Sequence, residues 1–148
     1  LAFALRANAT RTEKTGGLSV NGKEKKRHID LVMDAIHALP GRKDLPEAAE
    51  SVRAAARMTA AQQVGRDWLA SQGARAGFRL IKAEAGDYSV ATLTDHRGSR
   101  ARQPRFGILD LTGLIEIADP DAFLTQLSNG FGRAKAFGCG LMLIRRPA

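Results

Sequence analysis

The chain has 148 residues, enough for one domain, with an ordinary apolar share and a net charge of +8. Its single cysteine, Cys139, excludes an intrachain disulfide or a cysteine-rich metal site, and the longest apolar run, around Leu141–Ile144, is too short to span a membrane. The positive excess points to a polyanionic partner, phosphate-bearing or lipid, and says little about fold, while one thiol in an apolar run fits a reducing cytoplasm.

Leu1, Phe3 and Leu5 alternate with small residues ahead of Arg6, the two-residue period of a half-buried strand. The chain opens on this strand with no initiator Met or signal sequence, so it is expected to be a piece of a longer protein. Ala9–Arg27 turns to Thr, Gly, Asn and Lys, with Gly16-Gly17 and Asn21-Gly22 as turn signals, and reads as a mobile basic loop. Ile29–Leu39 predicts a short helix, with Ile29, Val32, Met33 and Ile36 on one stripe and Pro40 as its end. Gly41–Arg57 has no clean apolar face and reads as a peripheral insertion. Thr59-Ala-Ala-Gln62 is a capping-box pattern, so a helix is expected from there, with Ala61, Val64, Trp68 and Leu69 inward and Gly73 or Gly77 closing it.

A β-rich region follows. Phe78–Ile81 and Tyr88–Leu93 predict strands around a turn at Ala85-Gly86-Asp87, and Asp95–Arg105 a basic loop or hairpin tip. Phe106–Leu111 and Leu114–Ile117 predict one long strand bent at Gly113. Asp119-Pro120 is a helix start, with Phe123, Leu124 and Leu127 as the buried stripe and Gly130 as the stop. A last strand covers Gly140–Ile144. The order is βαββαβ, an α+β fold of the ferredoxin-like type, with two helices on one sheet face and the other face open. That open face or its loops commonly bind RNA in such folds, although fold alone does not establish function.

Gly17-Leu-Ser-Val-Asn-Gly22-Lys23 spells most of a phosphate-binding P-loop. Glu24 stands where Ser or Thr should hold magnesium, and no buried strand leads in, so no nucleotide cofactor is expected. His28, His37 and His96 lack metal-ligand spacing, so no metal is expected either; surface histidines are the plainer reading, with a general acid–base role at His28 or His96 as the alternative. Two clusters suit phosphate contact: Lys23, Lys25, Lys26 and Arg27, then Arg97, Arg100, Arg102 and Arg105. Arginines on a hairpin tip can fork onto phosphates or guanine edges. The run Gly130-Phe-Gly132-Arg133-Ala-Lys135-Ala-Phe-Gly138-Cys-Gly140 offers close backbone approach, with Arg133 and Lys135 as charges. It reads as an anion-friendly loop, as a loop packed tightly on its own domain, or as both.

This glycine-rich run before a final apolar strand resembles the C-terminal motif of the CRISPR repeat-processing endoribonucleases. Leu5-Arg6-Ala7-Asn8, the cluster Gly22–Arg27, the helix at Trp68-Leu69, Gly77-Phe-Arg-Leu80 and Gly113-Leu-Ile-Glu116 before Asp119-Pro120 are similar to the CasE branch of the type I-E Cascade complex. The resemblance implies that residues 1–148 are the second of two tandem ferredoxin-like domains, with an insertion at about 29–58. The catalytic histidine would then lie in an N-terminal domain outside this chain, so no catalytic residue is assigned. The implied partners are a CRISPR RNA repeat hairpin and a Cascade backbone subunit, with no membrane and no cofactor. Implied RNA-binding residues are Arg6, Asn8, Lys23, Lys25, Lys26, Arg27, Arg97, Arg100, Arg102, Arg105, Gly132, Arg133 and Lys135. The implied reaction is metal-independent cleavage by 2′-hydroxyl attack, leaving cyclic phosphate and 5′-hydroxyl ends. Alternative readings are a non-catalytic RRM-like RNA-binding module and a structural subunit of a ribonucleoprotein.

Overall fold

The computed structural model describes residues 1–38, 50–93 and 103–147. Strands β1 (Ala2–Ala7), β4 (Phe78–Thr92), β5 (Arg105–Ile117) and β6 (Met142–Arg145) form an antiparallel sheet in the order β4-β5-β1-β6. β1 lies between β5 and β6, with Leu5 opposite Leu111 on one side and Met142 on the other. Helices α2 (Glu50–Ala76) and α3 (Pro120–Asn129) complete the βαββαβ order, so the ferredoxin-like expectation holds.

The two-residue period places the core. Phe3, Leu5 and Ala7 of β1 are buried, as are Leu109, Leu111 and Ile115 of β5 and Phe78, Ala83 and Tyr88 of β4. Ala61, Trp68 and Leu69 of α2 and Phe123 of α3 pack on that face. Each large apolar side chain so buried stabilises the fold by about 1.5–3 kcal/mol. Phe78 meets Phe123 and Phe131 edge-on, both at 6.0 Å between ring centroids, an arrangement that suits the ring quadrupoles.

Two further strands interrupt the simple order. Residues expected as a loop form a hairpin of β2 (Thr10–Leu18) and β3 (Glu24–Asp30), paired antiparallel as a separate sheet. Ser19 and Lys23 close it through a 2.7 Å backbone bond, with Gly22 at φ 70 in the turn. Helix α1 (Leu31–Ala38) follows and packs on α2. Ile29 belongs to β3 rather than opening the helix, and Pro40 lies outside the described residues, as do residues 39–49 of the expected insertion.

Other boundaries also differ from expectation. α2 runs from Glu50, so Thr59 sits inside it and its hydroxyl donates to Ala55 O at 3.0 Å. Gln62 instead bridges to β4, donating to Ala83 O and accepting from Ala85 N, both at 2.7 Å. That segment of β4 is one continuous strand: the expected turn at Ala85-Gly86-Asp87 is a register shift between Ala85 and Asp87. A bulge detaches an amide from the ladder, and Gln62 satisfies it. Asp119 caps α3 as expected, accepting from Asp121 N and Ala122 N, and Gly130 ends the helix at φ 73. Leu124 is exposed rather than buried, because Phe123 and Leu127 already face the core and the adjacent position points away. Among the described residues, no helix is long and apolar enough to cross a membrane.

Candidate nucleic-acid interface

The open sheet face is the first place to look for an RNA surface, and its charges are largely paired. Arg6 makes a two-pronged bridge to Asp110, at 2.7 and 2.8 Å. Arg79 pairs with Glu116, and Lys82 with Glu84 at 2.7 Å. The Arg6 hydrogen bond holds the Asp110 carboxyl below its ordinary range, and the same contact raises the Arg6 guanidinium. Arg6 therefore presents a neutralised fork to solvent.

The β2–β3 hairpin differs. Its cations divide by strand: on β2, Arg11 pairs with Glu13 and Asp34, and Lys14 with Glu24. On and beside β3, Lys23, Lys25, Lys26 and Arg27 are exposed and have no salt-bridge partner among the described residues. Alternation puts Lys26 on one ribbon face, with His28, and Lys25 and Arg27 on the other. His28 Nδ1 lies 3.0 Å from Thr12 Oγ1 at the surface. The result is a positive ribbon exposed on both sides.

The hairpin base meets the start of β5 and the glycine-rich run around Asn8. Asn8 was expected at the RNA surface but is buried, with its amide donating to Gly107 O at 2.8 Å. Its backbone forms an antiparallel bridge with Arg133 of the glycine-rich run. Gly132, at φ 74, allows that approach, since a Cβ there would stand 2.9 Å from Asn8 O and 3.1 Å from Trp68. Asn8 thus positions backbone where it was expected to touch a ligand. Leu31 N donates to Ala9 O at 3.1 Å, so the start of α1 joins the same junction.

Asp30 closes the arrangement. Its Oδ1 accepts from Val32 N and Met33 N, capping α1, and from the Tyr88 hydroxyl at 3.2 Å. Gly107 leaves room for this carboxylate, because a Cβ on residue 107 would collide with Asp30 and the Tyr88 hydroxyl. Burial first, then the Asp30 charge, pushes the Tyr88 hydroxyl well above its ordinary value. A raised folded-state pKa adds stability that is present below the unfolded value of about 10 and fades as pH rises beyond it. Urea unfolding should therefore show the stability gap between the wild type and Tyr88→Phe shrinking as pH is raised past about 10.

In the glycine-rich run, Phe131 is fully buried, with its amide donating to Gly140 O at 2.8 Å, and Gly140 N reaches Arg6 O at 2.7 Å. Lys135–Phe137 make a 3-10 turn, and Lys135 Nζ donates to Asn129 O at 2.6 Å, near the end of α3. That side chain is engaged within the fold, whereas Arg133 and Arg105 are exposed and make no salt bridge among the described residues. Burial pushes the Cys139 thiol up, which makes it unreactive. Arg97, Arg100, Arg102 and His96 lie outside the described residues, though β4 and β5 pair up to Thr92 and Arg105 on either side of them. Among the described residues, no group of three or more His, Cys, Asp or Glu could hold a metal.

Sequence reading missed two features here: the Asp30–Tyr88 contact and a ring contact between Phe106 and Phe137 at 5.3 Å. Asp30 before Leu31-Val-Met33 is a legible helix cap. The Phe pair has no local signal.

A family model described as CRISPR-associated protein matches residues 1–146. The chain belongs to the CRISPR-associated protein family. A CRISPR endoribonuclease Cse3 bound to a 19-nucleotide RNA is 21% identical, over 98% of this chain and 54% of that one, with a TM-score of 0.56. Thermus thermophilus Cse3, bound to an RNA representing a pre-cleavage complex, is 21% identical over 98% of this chain and 52% of that one, at 0.54. A chain of a CRISPR RNA-guided surveillance complex is 18% identical over 96% of this chain and 55% of that one, at 0.53. These likenesses show a shared fold. This CRISPR-associated chain spans about half the length of the solved structures it matches. No curated protein matches it in sequence.

Proposed function

We propose that this chain is the RNA-gripping, C-terminal half of a CRISPR RNA-processing endoribonuclease of the CasE type, acting in the cytoplasm. It holds the repeat stem-loop of precursor CRISPR RNA and stays with the product in a Cascade assembly. The observation that carries this reading is the meeting of the hairpin base, the start of β5 and the glycine-rich run at the Asn8–Gly107 junction, with four exposed cations on and beside β3 that make no salt bridge among the described residues. A ribbon positive on both faces suits a site flanked by two phosphate strands, such as an opened groove at the end of a stem. The family and the RNA-bound state of similar folds support the choice of ligand.

Within the intact protein, a 2′-hydroxyl attacks the adjacent phosphate, the 5′-oxygen leaves, and a cyclic phosphate forms without metal. An acid–base histidine for that step belongs to a preceding ferredoxin-like domain. The present half contributes fixed positive charge and placement of the stem. Gel-shift and cleavage assays on a CRISPR repeat stem-loop test this division of labour. The expected result is salt-sensitive binding by this chain without cleavage. Absence of binding at low salt, or efficient cleavage by the chain itself, would overturn it.

A further inference from the structure

Phe137 is 53% exposed, yet its ring is held in place. It closes the 3-10 turn between Ala134 at φ 56 and Gly138 at φ 81, with Phe137 N donating to Ala134 O at 2.9 Å. Its ring lies against that of Phe106, with centroids 5.3 Å apart and planes 32° from parallel. Phe106 is the second residue of β5. Because Gly107, Leu109 and Leu111 face the core, alternation turns Phe106, Ile108 and Asp110 to the open face. The glycine-rich run therefore lays an aromatic ring onto the open sheet face, where the β1 ladder has ended at Ala7 and Leu109.

Two exposed cations lie close to the ring pair in sequence: Arg105 precedes Phe106, and Arg133 stands two residues ahead of the turn that carries Phe137. The immediate neighbours of Phe137 in the chain, Ala136 and Gly138, are small, and about half of the Phe137 surface is exposed. A flat, half-exposed ring backed by a second ring, in a strongly basic chain, has the chemistry of a base-stacking site. Every base offers a π-face, and arginines can hold the flanking phosphates.

We propose that Phe137, backed by Phe106, is a stacking platform for one unpaired nucleobase next to the bound stem, purines stacking best. This rests on the RNA-grip reading. It adds a ligand subsite to it and extends the RNA surface from the hairpin onto the open face of the sheet.

The test uses the full chain and repeat stem-loops with single-stranded flanks, in which 2-aminopurine replaces unpaired purines one at a time. At one position, the wild type should quench the fluorescence, and Phe137→Tyr should preserve the quench. Phe137→Ala and Phe137→Leu should abolish it and weaken binding roughly tenfold, with the unfolding midpoint of Phe137→Leu unchanged. An abasic site at that position should weaken the wild type equally and add nothing to Phe137→Ala. If the wild type binds the stem-loop but Phe137→Leu binds and quenches equally well, the platform falls while the RNA-grip reading stands. Loss of a protein partner by Phe137→Leu with unchanged RNA binding would also overturn it. If the wild type binds neither stem-loop nor single strand, both readings fail.

Discussion

Replacing Lys25, Lys26 and Arg27 together with alanine should weaken binding to a repeat stem-loop on the order of a hundredfold at physiological salt. The slope of log affinity against log salt should fall by about one for each cation removed. The expectation follows from where the charges stand. All three side chains are exposed and without salt bridges among the described residues, and they occupy both faces of the ribbon. Their removal takes away phosphate contacts without opening a core, so the thermal midpoint should hold. The matched control is Arg11→Ala with Lys14→Ala, which changes net charge on the same hairpin but removes groups already paired with Glu13, Asp34 and Glu24. If contact rather than general field governs affinity, the control lowers the salt slope much less per charge. Fluorescence anisotropy over a salt series reads both quantities, and an equal fall in slope per cation removed in the two variants would defeat the local assignment.

The same hairpin shows which parts of the fold were legible in the sequence. Thr10–Leu18 and Glu24–Asp30 are strands with almost every side chain in solvent, so no apolar alternation marks them. Composition there resembles a loop, and only Asn21-Gly22 hints at the turn. Ala85-Gly86-Asp87 fails for a related reason: a bulge and a tight turn recruit the same residue types. Thr59-Ala-Ala-Gln62 matches a cap yet lies inside a helix, since nothing in four residues tells whether a turn precedes it. By contrast, Asp119-Pro120 is read correctly because its whole chemistry is local, a carboxylate accepting from amides two and three residues on. The buried stripe of α2 is legible because Ala61, Trp68 and Leu69 repeat at helical spacing. The candidate site was legible as a set of cations and glycines but not as a geometry. Asn8 joins Gly107 across 99 residues, and Asp30 joins Tyr88 across 58. No window of sequence contains either pair, so Asn8 looked like a ligand-binding residue when its amide is spent inside the fold.

That long-range junction yields the second large effect. Asp30→Ala removes the acceptor for Val32 N and Met33 N and leaves the buried Tyr88 hydroxyl without its partner. A lost cap costs about 1 kcal/mol, and an unsatisfied buried hydroxyl about 1–3 kcal/mol. The variant should thus be about 2–4 kcal/mol less stable, a midpoint drop of roughly 5–15 °C for a chain of this size. Asp30→Asn retains an acceptor oxygen and should recover most of that stability. Gly107→Ala should mimic Asp30→Ala from the opposite side, because its methyl group displaces the carboxylate. The informative measurement is RNA binding below the midpoint. Asp30 lies at the foot of β3, so its loss frees the hairpin to pivot relative to Arg105 and Arg133 while every cation remains. Affinity should then fall with the salt slope unchanged, since fewer productive orientations reduce binding without reducing the phosphates neutralised. A slope that falls with affinity would mean that the cations of β3 act only when Asp30 holds them, and an unchanged affinity would mean that the hairpin grips RNA independently of the sheet.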